Sequence, residues 1–373
     1  MWKISYVCFC NTSGYGQAAQ DYINALLLDE KVDLRVEPVA NQITNPGISD
    51  KRFSLLKELS KKEVSAEHIQ IFHSVPTLQY LIKSIKFKKL AKTIGFATFE
   101  TFDPPDQGQL SWISILNNND AIIVPSLFNY EVFAHTRLKK PIFYIPHSVD
   151  TAIYNLDTKP SRKFERFTFL FCGAWKLRKG FPQLLEAWFS EFDMSDNVQL
   201  LIKTDKTPEA KSQVKQMKNN LGYKKKETAP ILFEDKIFNE DELPGFFKSA
   251  DCLISPHLGE GFGLPGLQCM AVGAPIIITN FSGSKDYANE DTATLIEPRG
   301  FMVHECMDHY PQFRNRKFPF VAVKDIKEKM RFVVENYEQM ACKAAVGAKF
   351  VAENFNYKLV NRLFHEMLSS VYG

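Results

Sequence analysis

The sequence predicts an α/β chain of two doubly wound domains, and three observations predict it. Short apolar runs alternate with stretches of helical spacing along all 373 residues, as parallel strands joined by crossover helices do. The runs fall into two successive sets. A chain of this length is also long enough for two domains, each with its own core.

In the first set the expected strands are Ile4–Cys10, Val32–Glu37, Ile69–Phe72, Thr93–Thr98, Ala121–Val124 and Ile142–Ile145. In the second they are Phe167–Phe171, Gln199–Lys203, Ile231–Phe233, Cys252–Ser255, Pro275–Thr279 and Thr294–Ile296. Stretches such as Gly16–Leu28 and Phe181–Phe189 lie between them with helical spacing. The polar stretch Asp157–Arg166, with one Pro, is the expected linker, giving domains of residues 1–156 and 157–354. Phe355–Tyr372 again has helical spacing. Ligands of such folds bind beyond the carboxyl ends of the strands, so the expected site is a cleft between the two domains.

Composition narrows the function classes. Hydrophobic residues make up 45% and charged residues 24%, an ordinary globular balance. A net charge of +3 argues against nucleic acid as a partner. The seven cysteines are odd in number and scattered, without metal-ligand spacing, which fits reduced thiols in a cytoplasmic protein. No apolar run approaches the roughly 20 residues of a membrane span. The first residues lack the apolar core and cleavage site of a signal peptide. The 31 Phe suggest an aromatic core.

The stretch His257–Gly273 carries the chemistry. Glu260 opens a turn containing Gly261, Gly263 and Gly266, and Pro265 suits the first turn of a helix, where its missing N–H is not needed. Leu264–Val272 reads as a short buried helix that Gly273 stops. A bare glycine turn feeding a helix N-terminus is an anion site. An acid beside it suits hydroxyls. The expected ligand has phosphates at one end and a polyol at the other.

This run resembles the donor-site signature of family-4 retaining glycosyltransferases, which have the GT-B fold: a Glu, seven residues and a second Glu around a Gly-Phe-Gly-Leu-Pro core. The resemblance spans nearly the whole chain and implies two Rossmann-like domains facing across a cleft, with the C-terminal helix 355–373 crossing back to the first. It implies transfer of a sugar from a nucleotide-sugar donor to a glycan, lipid-linked or other hydroxyl acceptor, with anomeric retention. Glu260 would hold sugar hydroxyls. Phe262, Gly263, Leu264 and Gln268 would face the donor. Here Gln268 stands where the family has its second Glu.

Other segments carry the same resemblance. Asn11–Ala19, with Gly14 and Gly16, follows the first strand where the family's glycine loop faces the donor phosphates. Phe171–Phe181 matches the family's basic turn at Lys179 and Gly180, but Ala174 stands in place of its Arg. Lys176 or Arg178 is near enough to substitute. Three cations in that turn suit a leaving diphosphate. Lys203 ends an apolar strand, which fits a cleft or an exposed strand end equally. Phe233–Ile237, followed by Glu242, resembles the loop holding the nucleotide base. In the first domain, Gly95–Pro105 with Glu100 and Ile122–Phe133 match a subset of the family. Ile145–Asp150 matches the interdomain segment, where His147 either lines the cleft or packs. His73 lies where some members place a cleft histidine near the reacting sugar. Glu100 and His147 are then acceptor-side candidates.

The resemblance implies no cofactor and no metal, because the cations would stabilise the leaving group, and no Asp-any-Asp triplet occurs. The run Lys83–Lys92 carries five lysines and is either a solvated face or a peripheral contact with an anionic membrane. Gln268 and Ala174 keep open a catalytically weak nucleotide-sugar binder on the same fold. A nucleotide-sugar epimerase is a further alternative. A nicotinamide oxidoreductase fits least, since Gly14–Ala19 lacks the third Gly of its motif.

Overall fold

The computed structural model describes residues 1–43, 47–65, 67–86, 92–108, 111–223, 227–304, 307 and 310–373. The chain divides into two compact units: Met1–Asp150 with Phe238–Asp241 and Asn354–Gly373, and Thr151–Ile237 with Glu242–Glu353.

In the first unit the strands are β1 (Trp2–Cys10), β2 (Val32–Ile43), β3 (Ile69–His73), β4 (Thr93–Phe96), β5 (Ala121–Val124) and β6 (Ile142–Tyr144). They form one sheet in the order β2-β1-β3-β4-β5-β6, parallel at every pairing. Every residue of β3, β4 and β5 is buried, which is why these strands read as unbroken apolar runs. Strand β2 runs six residues beyond the expected Glu37. Pro38 hid that extension, and it is tolerated because β2 is an edge strand.

Between the strands lie α1 (Gly14–Leu26), α2 (Asp50–Lys61), α3 (Pro76–Lys86), α4 (Trp112–Leu116) and α5 (Leu127–Ala134). Ser13 caps α1, its hydroxyl accepting from the Gly16 N–H at 3.1 Å. The last helix of the unit comes from far along the chain. It is numbered α12 (Tyr357–Tyr372) and is capped by Asn356. Val360, Phe364, Met367 and Leu368 repeat at helical spacing and are wholly buried. The Phe364 ring meets Tyr22 of α1 edge-on at 5.4 Å, and the Tyr357 hydroxyl donates to Asp21 at 2.7 Å.

The second unit repeats the plan. Its strands β7 (Phe167–Cys172), β8 (Val198–Lys203), β9 (Ile231–Glu234), β10 (Cys252–Ser255), β11 (Ile276–Thr279) and β12 (Thr294–Ile296) form a parallel sheet ordered β12-β11-β10-β7-β8-β9. Helices α6 (Phe181–Glu191), α7 (Thr207–Asn220), α8 (Leu243–Lys248), α9 (Leu264–Ala271), α10 (Val323–Glu335) and α11 (Tyr337–Asn354) accompany it. The core is aromatic: Phe169, Trp188, Phe189, Phe192 and Phe246 are fully buried. The cysteines of the described residues are free thiols.

Three features depart from the sequence reading. The chain passes from one unit to the other at Asp150/Thr151, so Asp157–Arg166 lies inside the second unit. There the Ser161 N–H donates to the Gly245 carbonyl at 2.9 Å and Arg162 pairs with Glu234 at 2.7 Å. Phe238–Asp241 belongs to the first unit, where Glu240 accepts from the Ser49 N–H at 3.0 Å and pairs with Arg52 at 3.3 Å. An antiparallel hairpin, β13 (Phe301–Val303) and β14 (Lys317–Pro319), sits between β12 and α10.

Of the basic run 83–92, residues 87–91 lie outside the described residues. Lys83 turns inward, donating to Asn119 at 2.6 Å and lying 4.8 Å from the Phe72 ring centre. Burial draws its pKa down to about 8, against the opposing charge of Asp120. Lys92 lies over the Tyr372 ring at 5.1 Å. Among the described residues no helix is long and apolar enough to cross a membrane.

Candidate functional site

The order of the second sheet sets the site. From β7 the chain adds β8 and β9 on one side, then β10, β11 and β12 on the other. The direction reverses between β7 and β10, and ligands of doubly wound sheets bind outside the carboxyl ends at such a reversal. The loops leaving those two strands carry Lys176–Lys179 and His257–Gly263.

A close approach joins the loops. Gly180 has φ +75°, and a Cβ there would fall 1.9 Å from the Pro256 carbonyl oxygen. Only glycine permits both the angle and the distance. The Leu258 N–H donates to the Arg178 carbonyl at 2.7 Å, and Arg178 Nη1 donates to the Gly259 carbonyl at 3.0 Å. Glu260 is thereby set between two cations. Its carboxylate accepts from Lys179 Nζ and lies 3.3 Å from Arg178 Nη1. It is 7% exposed. Burial alone would raise its pKa, but Lys179 and Arg178, helped by His257, hold it down to about 2.

The turn below Glu260 is fixed from β11. The Glu260 N–H donates to Ser282 Oγ at 2.8 Å, and the Gly283 N–H donates to the Glu260 carbonyl at 3.0 Å. Gly263 adopts φ +96° as the residue before α9, and the Tyr287 hydroxyl donates to its carbonyl at 2.7 Å. Phe262 is buried and packs on Tyr287 at 5.5 Å, so its ring braces the turn from within. His257 is fully buried beside Ser284 Oγ at 3.1 Å, and burial draws its pKa down to about 4.

The second unit also holds the other donor candidates Lys176, Lys203, Ile237, Leu264 and Gln268. Arg178, not Lys176, joins Glu260. Lys176 is exposed, and its Nζ lies 5.8 Å from the Tyr310 ring centre. Ala174 begins the same turn. Lys203 ends β8 opposite Cys172. Burial raises the Cys172 thiol to about 11, while Lys203 and Lys179 act against that rise. Gln268 is buried one turn along α9 from Leu264, which is also buried. Ile237 is half exposed just past β9.

The first-unit candidates form their own group. Gly14 opens α1 with free space around it, whereas a Cβ on Gly16 would meet the Asn11 carbonyl at 2.2 Å. Tyr15, between them, meets the His73 ring at 5.8 Å. His73 is only 1% exposed and sits in an aromatic core, 4.0 Å from Phe96, with Nδ1 2.8 Å from the Tyr6 hydroxyl. Burial, and then His147, lower its pKa well below the usual histidine value. His147 is also buried, 3.1 Å from the Tyr22 hydroxyl, and burial draws it down to about 3. The two rings stack on each other at 6.1 Å. Glu100 is half buried in the bend after β4.

Sequence reasoning missed Tyr6 and Tyr22 because Tyr6 lies in the continuously buried run of β1 and Tyr22 on the buried face of α1, where both look like ordinary core. It also missed Ser282 and Tyr287. The small-residue run Ser282-Gly283-Ser284 after β11 was the available signal for a tight supporting turn.

Comparison with known proteins shows likenesses in sequence and in fold. Residues 166–305 match the family model of glycosyl transferases group 1. The whole chain resembles HepE of Anabaena solved with UDP and glucose, at TM-score 0.69 and 13% identity over 99% of this chain and 100% of that one. It resembles sucrose-phosphate synthase of Thermosynechococcus elongatus at TM-score 0.68 and 12% identity, covering 100% and 99%. A D-inositol 3-phosphate glycosyltransferase of Paenarthrobacter aurescens is 37% identical over 57 residues, 15% of this chain and 14% of that protein. The match thus spans about one seventh of that relative's length. Residues 166–305 thus match the glycosyl transferases group 1 model, in a chain whose two doubly wound units have the GT-B fold.

Proposed function

We propose that this protein is a glycosyltransferase that moves a sugar from a nucleotide-sugar donor to a hydroxyl acceptor with the anomeric configuration retained. The observation that carries the reading is the buried Glu260 carboxylate held between Lys179 and Arg178 at the reversal point of the second sheet. Two cations on a rigid turn suit a diphosphate, and the acid beside them suits sugar hydroxyls. The likeness to a fold solved with UDP and glucose supports a nucleotide-sugar donor.

In the reaction the bond between sugar C1 and the diphosphate oxygen breaks. Its electron pair goes to the leaving diphosphate, whose growing charge Lys179 and Arg178 offset. The acceptor oxygen forms its bond to C1 on the same face. Its proton passes to a phosphate oxygen of the leaving group, so no side-chain base is required. Glu260 orients the sugar hydroxyls and stabilises positive charge at C1. The cations fill the part a metal would otherwise take, and activity is proposed to be metal-independent. The acceptor is a glycan, lipid-linked or other hydroxyl compound.

The test is a screen of UDP-, GDP- and ADP-sugars for release of free nucleoside diphosphate, with and without chelator, beside Glu260→Ala. Release that survives chelator and is lost in the variant is the expected result. Donor binding without release, across varied acceptors, would instead establish the nucleotide-sugar binder that Gln268 and Ala174 keep open. Conversion of the donor sugar without acceptor would establish an epimerase.

A further inference from the structure

Ser282 holds a backbone angle that its residue type disfavours. Its φ is +61°, in the left-handed region that glycine enters freely and other residues enter at a cost. Among the described residues, Asp103 and Asn315 are the other non-glycines in that region. Both are exposed, and both are of types that tolerate it. Ser282 is fully buried, and serine is not one of those types.

Strain kept in a buried turn points to a use for the side chain. Ser282 Oγ accepts the Glu260 N–H at 2.8 Å, and the next N–H, that of Gly283, donates to the Glu260 carbonyl at 3.0 Å. The peptide groups on both sides of the Glu260 Cα are thereby fixed, and with them the direction in which its side chain leaves the turn. That direction leads to Lys179 and Arg178. The two turns cannot slide past each other. A Cβ on Gly283 would fall 2.2 Å from the Gly261 carbonyl oxygen, and Ser284 Oγ lies 3.1 Å from His257 Nε2 at the other end of the Glu260 turn. Glycine at position 282 would give the angle freely but no acceptor. Alanine would give neither.

We propose that Ser282 is a positioning residue for the transfer: its hydroxyl sets the Glu260 main chain so that the carboxylate reaches both cations. The strained angle is what this placement costs in stability. The role rests on the reading of Glu260 as the acid that meets the donor sugar. Stability and turnover then part company at this position.

The test is Ser282→Gly and Ser282→Ala in the full chain, each also combined with Glu260→Gln. Without ligand, Ser282→Ala should lower the urea-unfolding midpoint by about 0.5 M, since it keeps the angle and loses the hydrogen bond. Ser282→Gly should stay near the parent, because relief of the angle offsets the same loss. With the donor found by the screen, both variants should lower kcat by about ten- to hundredfold, with donor KM changed less than about threefold. Full turnover by Ser282→Gly beside a weakened Ser282→Ala would mean that activity merely follows stability, and overturns the proposal. The unfolding measurements test the same role without turnover. The midpoint loss from Ser282→Ala should be about half as large in the Glu260→Gln background, where no carboxylate remains to be placed. Equal loss in both backgrounds overturns the proposal by itself. A chain that turns over no donor yet shows this coupling would sink the transferase reading and leave Ser282 as the residue that holds Glu260 on its cations.

Discussion

Replacing Glu260 by Gln separates the two roles assigned to it. In the ligand-free chain its carboxylate sits on the cations that would receive the diphosphate, so donor and carboxylate compete for Lys179 and Arg178. Gln keeps the size and removes the charge. A phosphate charge about 6 Å from the carboxylate, at an effective dielectric near 20, is repelled by about 3 kcal/mol. Solvent at a site that must open to a ligand halves this at the lower limit. A repulsion of about 1.5–3 kcal/mol corresponds to roughly ten- to hundredfold in affinity. Glu260→Gln should therefore bind the free nucleoside diphosphate about ten- to hundredfold more tightly while losing nearly all sugar transfer. The assay is calorimetric titration of the diphosphate identified by the donor screen, beside turnover of the same preparation. Without ligand, the variant should also be less stable, by less than the roughly 3–5 kcal/mol of a fully buried pair, since two partly buried cations lose their counter-ion. Equal or weaker diphosphate binding by the variant would refute the competition and with it the placement of the donor phosphates on this pair.

Other outcomes follow from particular residues. Gln268→Glu should tighten donor binding about tenfold by titration, because a charged acceptor contributes about 1.5–3 kcal/mol against roughly 0.5–1.5 for a neutral one. Unchanged affinity would remove Gln268 from the donor contacts. Asp21 is buried, which raises its carboxyl to about 6, with Asp150 and Glu240 adding to the rise and Arg52 and Tyr357 opposing it. Its folded pKa lies above the ordinary value of 3.8, so its cost is absent below that value and grows as pH rises through about 6. Asp21→Asn retains an acceptor for the Tyr357 hydroxyl. It should be more stable than the parent at pH 7 by up to about 3 kcal/mol and equal to it near pH 4, measured by urea unfolding. Parallel profiles at both pH values would contradict this. Phe364→Ala should cost about 3–5 kcal/mol in the same measurement, since the ring is wholly buried against Tyr22.

The sequence disclosed the sheets well because buried parallel strands are plain apolar runs, and Ile276–Thr279 or Ala121–Val124 can be little else. It disclosed the Glu260 turn because glycine, proline and an acid at fixed spacing have few other uses. It did not separate Arg178 from Lys176. Both lie in one short turn, and the choice depends on the carbonyl of Gly259, far along the chain, accepting from the guanidinium. It left His73 and His147 undecided for a similar reason. Their surroundings come from Tyr6, Tyr22 and Phe96 on three other elements, and only the fold gathers those rings. The β13–β14 hairpin was missed because strands this short, between mixed polar residues, carry no period to detect. The passage of Phe238–Asp241 into the first unit rests on Ser49 and Arg52, a long-range pairing with no local mark.

The seat of α12 on α1 bears on how the chain is made. Tyr357 reaches Asp21 across 336 residues, and all of the second unit's strands lie between them in sequence. On the ribosome the α1 surface around Tyr22 is finished long before Phe364 is translated. The second unit can close its own sheet while the first still has an uncovered apolar face. That interval, rather than final stability, is when the chain is most open to chaperones and to aggregation. Slowed elongation through residues 151–353 would lengthen it.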